Sequence, residues 1–436
     1  MADGSNRVFL MLQGPHGPFF RQLAETLIAF GVDVHRVAFN AADEAEWRRT
    51  GPLHRYNGSL EAFEEWIEQR IDAHGITDLA LYGDTRPVHA IALRVAKRRG
   101  LITHCLEEGY LRPSWITYER EGNNGNSPLM ATSLPAMAKC VGSWTKPESA
   151  VPATWGDSRQ HVWHSALYHL RCLIPTGRYG LYRGHRELPL HREAAIYLRR
   201  ALASPWIRLR RGLRQWMLLH SSKTFHLVLL QLSFDASMQV HSDYSSTAEF
   251  IEDVIDAFAE GAGPDEYLVL KAHPFEDGRE NLRAIITEMA QDLGVSDRVI
   301  FIDGGKKLAS LLDRARSAIT VNSTAAQQAL WRGLPVAALG RAIYRKPGLV
   351  SEQTLTGFMR HPRRPDLRSY WLFRQFMMQT SQLGGSYYAE RGRRMLLKTL
   401  PARMLDPVDP YRKIEETVAG PDAMEYAPKP TLIVAQ

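Results

Sequence analysis

Short apolar runs recur along the chain, each closed by a turn rich in Gly, Pro, Asn or Asp and followed by residues with helical apolar spacing. Val8-Phe9-Leu10-Met11-Leu12 predicts a buried strand, Leu23, Leu27 and Phe30 a helix, and Val32 to Phe39 a second strand. An amphipathic helix over Leu60 to Ala73 follows, then a strand at Leu79 to Tyr82, a helix from Ala90 to Arg99, a strand at Leu101 to Leu106 and another at Trp115 to Tyr118. The same alternation resumes at Phe225 to Leu230 and continues through strands at Tyr267 to Leu270, Val299 to Ile302 and Ser317 to Val321, with helices at Thr247 to Ala259, Asn281 to Leu293 and Leu308 to Asp313. Strands that alternate with helices predict parallel sheets covered on both faces. The reading is a first Rossmann-like domain over residues 1–149, a helical connector over 150–224, a second Rossmann-like domain over 225–345 and a helical tail over 346–436.

Polar residues gather at the ends of these strands, where open α/β sheets place their ligands. Gln13 and Gly14 lie in the turn after the first strand, which lacks the GxGxxG fingerprint of a dinucleotide site. Asp84 ends another strand as a candidate helix cap, with Arg86 and His89 three residues apart behind it. Glu107-Glu108-Gly109 stands where the Leu101 to Leu106 strand is expected to stop. Read blandly it is a solvated turn; read functionally, one of two oppositely directed acids faces a cleft. In the second half, Lys271, His273 and Pro274 close one strand, and Asn322, Ser323 and Thr324 close another as helix caps that also suit a phosphate.

The net charge of +7 and the isoelectric point near 9.2 call for an anionic partner: nucleic acid, a nucleotide-sugar or a membrane surface. Eleven arginines between Arg171 and Arg214, against only Glu187 and Glu193 and interleaved with Leu, Tyr and Trp, fit either an interfacial membrane segment or a connector with a solvated face. No zinc, helix-turn-helix or RNP pattern accompanies them, which argues against nucleic acid. Cys105, Cys140 and Cys172 are odd in number and widely spaced, which fits a reducing cytoplasm and no disulfide framework. The polar start, Met1 to Asn6, has no signal-peptide core, and no apolar run reaches membrane-spanning length, so any membrane contact is expected to be peripheral.

Taken in order, Gln13-Gly14-Pro15, Tyr82-Gly83-Asp84-x-Arg86-x-x-His89, Glu107-Glu108-Gly109-Tyr110-x-Arg112-Pro113, Lys271-x-His273-Pro274 and Asn322-Ser323-Thr324 resemble the bacterial capsule polysaccharide synthesis and export family of the KpsS/LipB type. The resemblance implies a GT-B-like fold, two Rossmann-like domains facing a cleft, and a retaining β-Kdo transferase. The implied donor is CMP-Kdo, with no separate cofactor and no metal. The implied acceptor is a phosphatidylglycerol-type lipid or its Kdo linker, met by a cytoplasmic protein on the inner face of the inner membrane beside other capsule synthesis and export proteins. It places Glu108, or else Glu107, as the reactive acid, Asp84 or His89 as proton-transfer groups, and Lys271, His273, Pro274, Ser323 and Thr324 at the donor phosphate. Gln13, Gly14, Arg86, Arg112 and Asn322 join the substrate-binding set. A non-catalytic polysaccharide- or lipid-binding component of capsule export would keep the same fold without needing Glu108.

Overall fold

The apolar runs pair into two sheets in the computed structural model of the chain, which describes residues 6–141, 158–172, 179, 209, 211–233, 236–274, 276, 278, 280–303, 305 and 308–412. The strands are β1 (Val8–Met11), β2 (Asp33–Ala38), β3 (Leu53–Arg55), β4 (Asp78–Tyr82), β5 (Ile102–Glu108), β6 (Trp115–Glu119), β7 (Thr224–Leu229), β8 (Glu266–Lys271), β9 (Val299–Ile302), β10 (Ser317–Thr320), β11 (Val336–Ala338) and β12 (Gln382–Gly384). One compact unit joins Met1–Glu187 to Arg374–Gln436, and the other is Leu188–Phe373. The first sheet has the order β12-β6-β5-β4-β1-β2-β3, with β1 to β5 parallel, β6 antiparallel to β5, and β12 antiparallel to β6. The second, β11-β10-β7-β8-β9, is parallel throughout. Each unit therefore has its first strand in the middle and reverses direction beside it, as in doubly wound nucleotide-binding sheets. The expected fold class, α/β with two Rossmann-like halves, is what the sheets show.

Burial follows the pattern. On one face of the first sheet Phe9, Met11, Val34 and Leu106 meet the helices Phe19–Ala29 and Glu390–Leu405; on the other Leu10, Leu12, Val37 and Leu81 meet Phe63–His74 and Pro87–Arg99. In the second unit, Ile251, Val254, Ile255 and Phe258 of helix Thr247–Gly261 cover Val228, Leu268 and Leu270. Ser246 caps that helix by accepting from the Glu249 N–H at 3.2 Å, as its sequence predicts.

Four local expectations are corrected. The strand expected to end before the acids runs through both, because Glu107 and Glu108 pair with Thr117 and Ile116 of β6. Helix Ala41–Trp47 and the short edge strand β3 arise in a stretch without strong apolar periodicity; Asn40 caps the helix by accepting from the Ala42 and Asp43 N–H groups. The stretch read as a helical tail carries β12 between helices Leu367–Thr380 and Glu390–Leu405, and β12 closes the edge of the first sheet against β6. Neither the cap expected at Asp84 nor the one expected at Asn322-Ser323-Thr324 is used. Helix Pro87–Arg99 starts from Arg86, and helix Ala326–Trp331 starts from Ala325. Of the basic connector, Ser158–Cys172 and residues 211–219 are helical; the arginines at 178, 183, 186, 192, 199, 200, 208 and 210 lie outside the described residues.

Candidate active site

At the carboxyl end of the first sheet the site is built on β5. Gly109 follows the two acids because the chain turns back at once into β6: a Cβ there would lie 2.3 Å from the Trp115 carbonyl oxygen. Pleating sends the two side chains to opposite faces, as expected of adjacent strand residues. Glu107 faces the turn after β4. A Cβ on Gly83, which holds φ +75°, would come within 3.3 Å of Glu107 Oε2, so glycine leaves room for the acid. Glu107 Oε1 accepts the Glu108 N–H at 2.9 Å, and Tyr387 donates its hydroxyl to the Glu107 carbonyl at 2.9 Å. Burial pushes the Glu107 carboxyl up to about 7; the Glu108 N–H and Arg86 pull it down, and the charges of Glu108 and Asp84 add to the rise.

Glu108 looks into an aromatic wall. Tyr82 donates to its Oε1 at 3.3 Å, Tyr387 stands edge-on to Tyr82 at 5.3 Å, and Tyr388 bonds to Tyr82 while stacking on His161 at 4.1 Å. Tyr387 and Tyr388 come from the turn after β12 and His161 from helix Ser158–Cys172, so the tail and the connector both return to the end of β5. No local pattern in the sequence announced these three residues. The Arg86 guanidinium lies 5.5 Å over the Tyr82 ring, beside the same acids. Arg112 is exposed, with its Nε donating to the Gly109 carbonyl at 3.3 Å.

Asp84 and His89 are placed differently. Asp84 is 1% exposed, and its Oδ2 accepts the Asn123 N–H at 2.8 Å and Asn126 Nδ2 at 3.0 Å, which fastens the loop after β6; burial raises its pKa. His89 is fully buried and its Nδ1 meets the Gly83 carbonyl at 2.6 Å. These two groups hold the turns around the acids and expose no atom from which a proton could pass to an acceptor. Gln13, at the end of β1, is buried near Asp43 and Tyr168, with Nε2 at 3.4 and 3.5 Å from them. Gly14 backs onto the Phe20 ring.

The second unit offers a cationic edge. Lys271 ends β8, 4% exposed, with Nζ donating to the Ala272 carbonyl; burial, and then Arg211, bring its pKa down to about 8. Arg211 itself donates to the Asp303 carbonyl at 3.3 Å, and Arg214 to the Phe301 carbonyl at 3.2 Å, both around β9. His273 is half-buried and Pro274 exposed just beyond Lys271. Asn322 is a lock between β7 and β10. Its Oδ1 accepts Gln231 Nε2 at 2.8 Å, its N–H donates to Gln231 Oε1 at 3.0 Å, and its Nδ2 donates to the His241 carbonyl at 3.1 Å. Ser323 accepts the Ala325 N–H in a turn, and Thr324 is part-exposed beside it.

On helix 211–219 and just before it, Leu209, Leu213, Trp216 and Met217 are more than half exposed. Val162, Trp163 and Leu170 are equally bare on helix Ser158–Cys172. Among the described residues no helix is long and apolar enough to cross a membrane.

Comparison with known proteins adds a frame to this geometry. The profile of the capsule polysaccharide biosynthesis protein family matches residues 77–388. The Escherichia coli capsule polysaccharide export protein KpsS is 29% identical over 388 residues, 88% of this chain and 97% of its own. The capsule polysaccharide modification protein LipB of Neisseria meningitidis serogroup A is 30% identical over 398 residues, 87% of this chain and 91% of its own. Among solved structures, the β-Kdo 2,7 transferase of Thermosulfurimonas dismutans KpsC covers 90% of this chain and 99% of its own at 13% identity and a TM-score of 0.43.

Proposed function

The chain belongs to the capsule polysaccharide biosynthesis family, and from that premise we propose that it is a retaining glycosyltransferase that moves Kdo from CMP-Kdo onto a phosphatidylglycerol-type lipid or the Kdo linker built on it. The observation that carries the reading is the pair of acids at the end of β5, one held near pH 7 and the other set among tyrosines. Environments that treat two neighbouring carboxyls differently are how one site obtains a nucleophile and an acid–base.

Glu108 is the nucleophile. Its carboxylate attacks the anomeric carbon of the sugar, the bond to the CMP phosphate oxygen breaks, and CMP departs as an anion. The acceptor hydroxyl then displaces Glu108 from the same carbon, and its proton passes by way of water around the end of β5 to Glu107, on the other face of the strand, whose pKa suits exchange at neutral pH. Two inversions give retention. Asp84 and His89 position the turns beside these acids, as their burial requires, and Arg86 offsets their joint negative charge. In the second unit Lys271 and His273 are the proposed donor-phosphate groups, with Pro274 shaping the turn and Ser323 and Thr324 offering hydroxyls; Asn322 fixes the loop that carries those two. A carboxylate nucleophile needs no cofactor.

The protein works at the cytoplasmic face of the inner membrane, where its lipid acceptor lies. The bare Leu213, Trp216 and Met217 support that placement. Incubation with CMP-Kdo and a short-chain phosphatidylglycerol, read by mass for a Kdo-bearing lipid, tests the reading. Binding of lipid or glycan without any turnover would assign the chain instead to the non-catalytic role in capsule export.

A further inference from the structure

Three histidines that the sequence scatters without motif spacing meet on the first unit, on the sheet face covered by helix Phe63–His74. His35 pairs in register with Leu10, and His54 with Val37. Leu10 and Val37 pack under Ile67 and Ile71 of that helix, which puts both histidines on its side of the sheet. His74 is the last residue of the helix, three beyond Ile71 and therefore on the same face. The chain leaves it through Gly75 at φ +59°. The three rings lie 4.6–5.2 Å apart by centroid, His35 Nδ1 and His54 Nε2 are 2.9 Å apart, and one nitrogen from each ring falls within 4.8 Å of the others.

We propose that His35, His54 and His74 bind a divalent transition metal ion of the Zn2+ class, which ties edge strand β3 to β2 and to the end of the helix. Imidazole is the donor that such ions prefer among oxygen and nitrogen ligands. With Zn–N bonds of about 2.0–2.1 Å, tetrahedral donors stand roughly 3.3 Å apart, so small ring rotations bring three nitrogens onto one ion and leave a fourth position to water. Without an ion the cluster is poorly satisfied: three rings share few protons, and Nε2 of His74 is buried without a hydrogen-bond partner among the described residues. A helix C-terminus also favours a cation placed against it. Arg70, the nearby cation, is drawn aside over the Trp66 ring at 5.5 Å. The site lies toward the start of the strands, whereas Glu107 and Glu108 sit at their carboxyl ends, so the ion would brace the fold and take no part in transfer.

The test is direct binding of Zn2+ and Co2+ to chelator-stripped protein, by competition with a chromophoric chelator and by the Co2+ absorption spectrum. Expected are micromolar or tighter binding, a tetrahedral Co2+ spectrum, and a Zn2+-dependent rise of several degrees in Tm. His54→Ala should weaken the tight site by about a hundred-fold and abolish the Tm shift. His74→Gln, at a partly exposed helix end, does the same in a protein whose circular dichroism is unchanged, which separates loss of a ligand from loss of the fold. Wild-type protein with no affinity tighter than about 100 μM, or a folded His35→Ala/His74→Gln protein that binds Zn2+ as wild type does, overturns the proposal.

Discussion

Glu107→Gln separates an acid kept for chemistry from one kept for the fold. Folding lifts the Glu107 carboxyl from the ordinary 4.5 to about 7, a displacement of about two and a half pH units. At roughly 1.4 kcal/mol per unit this is about 3 kcal/mol, trimmed to about 2–3 by the water that reaches its open side. The raised value means that the folded state holds this proton more tightly than the unfolded chain does. Its contribution is therefore whole below pH 4.5 and is lost as pH rises through 7. Glutamine never ionises, yet still offers an oxygen to the Glu108 N–H that Glu107 now satisfies. At pH 5 variant and wild type should lie within about 1 kcal/mol of each other; at pH 8 the variant should be the more stable by about 2–3 kcal/mol, a gain of roughly 4–10 °C in a unit of this size. Glu46 and Glu119 are also pushed up to about 7, but they are common to both proteins and cancel in the comparison. The same variant should transfer Kdo at least a hundred-fold more slowly, and Glu108→Gln should lose nearly all turnover while still binding CMP-Kdo. Thermal melts from pH 5 to 8.5 alongside rate measurements decide the matter. Equal melting at pH 8 would refute the buried, proton-holding environment; a stabilised and fully active variant would leave Glu107 as a turn acid only.

His273→Ala should weaken CMP binding about ten- to a hundred-fold in calorimetry, the worth of a charged hydrogen bond to phosphate, with the melting temperature unchanged; unaltered affinity removes His273 from the phosphate site. Leu213→Asp combined with Trp216→Ala should cut co-sedimentation with anionic vesicles by tenfold or more, because both side chains are more than half exposed on one helix; equal sedimentation would make that helix a connector. Asn322→Ala removes the two side-chain hydrogen bonds, from Gln231 Nε2 and to the His241 carbonyl, while its N–H still reaches Gln231 Oε1, so the urea midpoint of the second unit should fall by the equivalent of about 1–3 kcal/mol; an unchanged midpoint would show that the Asn322 side chain locks nothing.

Most strands were legible because a parallel strand buried on both faces must be apolar throughout, which marks Val299–Ile302 or Ser317–Thr320 by composition alone. The misses fell where the cause is not local. Edge strand β3, Leu-His-Arg, carries little apolar signal of its own and exists because β2 offers it an open ladder. β12 could not be read from Gln382–Gly384, since its partner β6 lies more than 260 residues earlier in the chain. For the same reason the motif acids Glu107 and Glu108 were found, but Tyr387, Tyr388 and His161 around them were not. The arginine-rich run was read as one surface; in the described part, Arg211 and Arg214 turn inward to carbonyls around β9 and apolar side chains take the solvent face.

The motif residues divide by what their polar atoms already hold. Asp84 spends Oδ2 on the Asn123 loop, His89 spends Nδ1 on the Gly83 carbonyl, and Asn322 spends both side-chain atoms on Gln231 and the His241 carbonyl. Each is under 8% exposed. At a strand end the backbone groups run out of ladder partners, and such side chains are what allow the turn to be buried and held still. Glu107, Glu108, His273 and Thr324 keep an open side. A strand-end motif thus mixes two populations that composition cannot separate, one that fixes turns and one that meets ligand. Pre-organisation makes them interdependent: a carboxyl kept near pH 7 beside Gly83 keeps that environment only while His89 and Asp84 hold the surrounding turns in place.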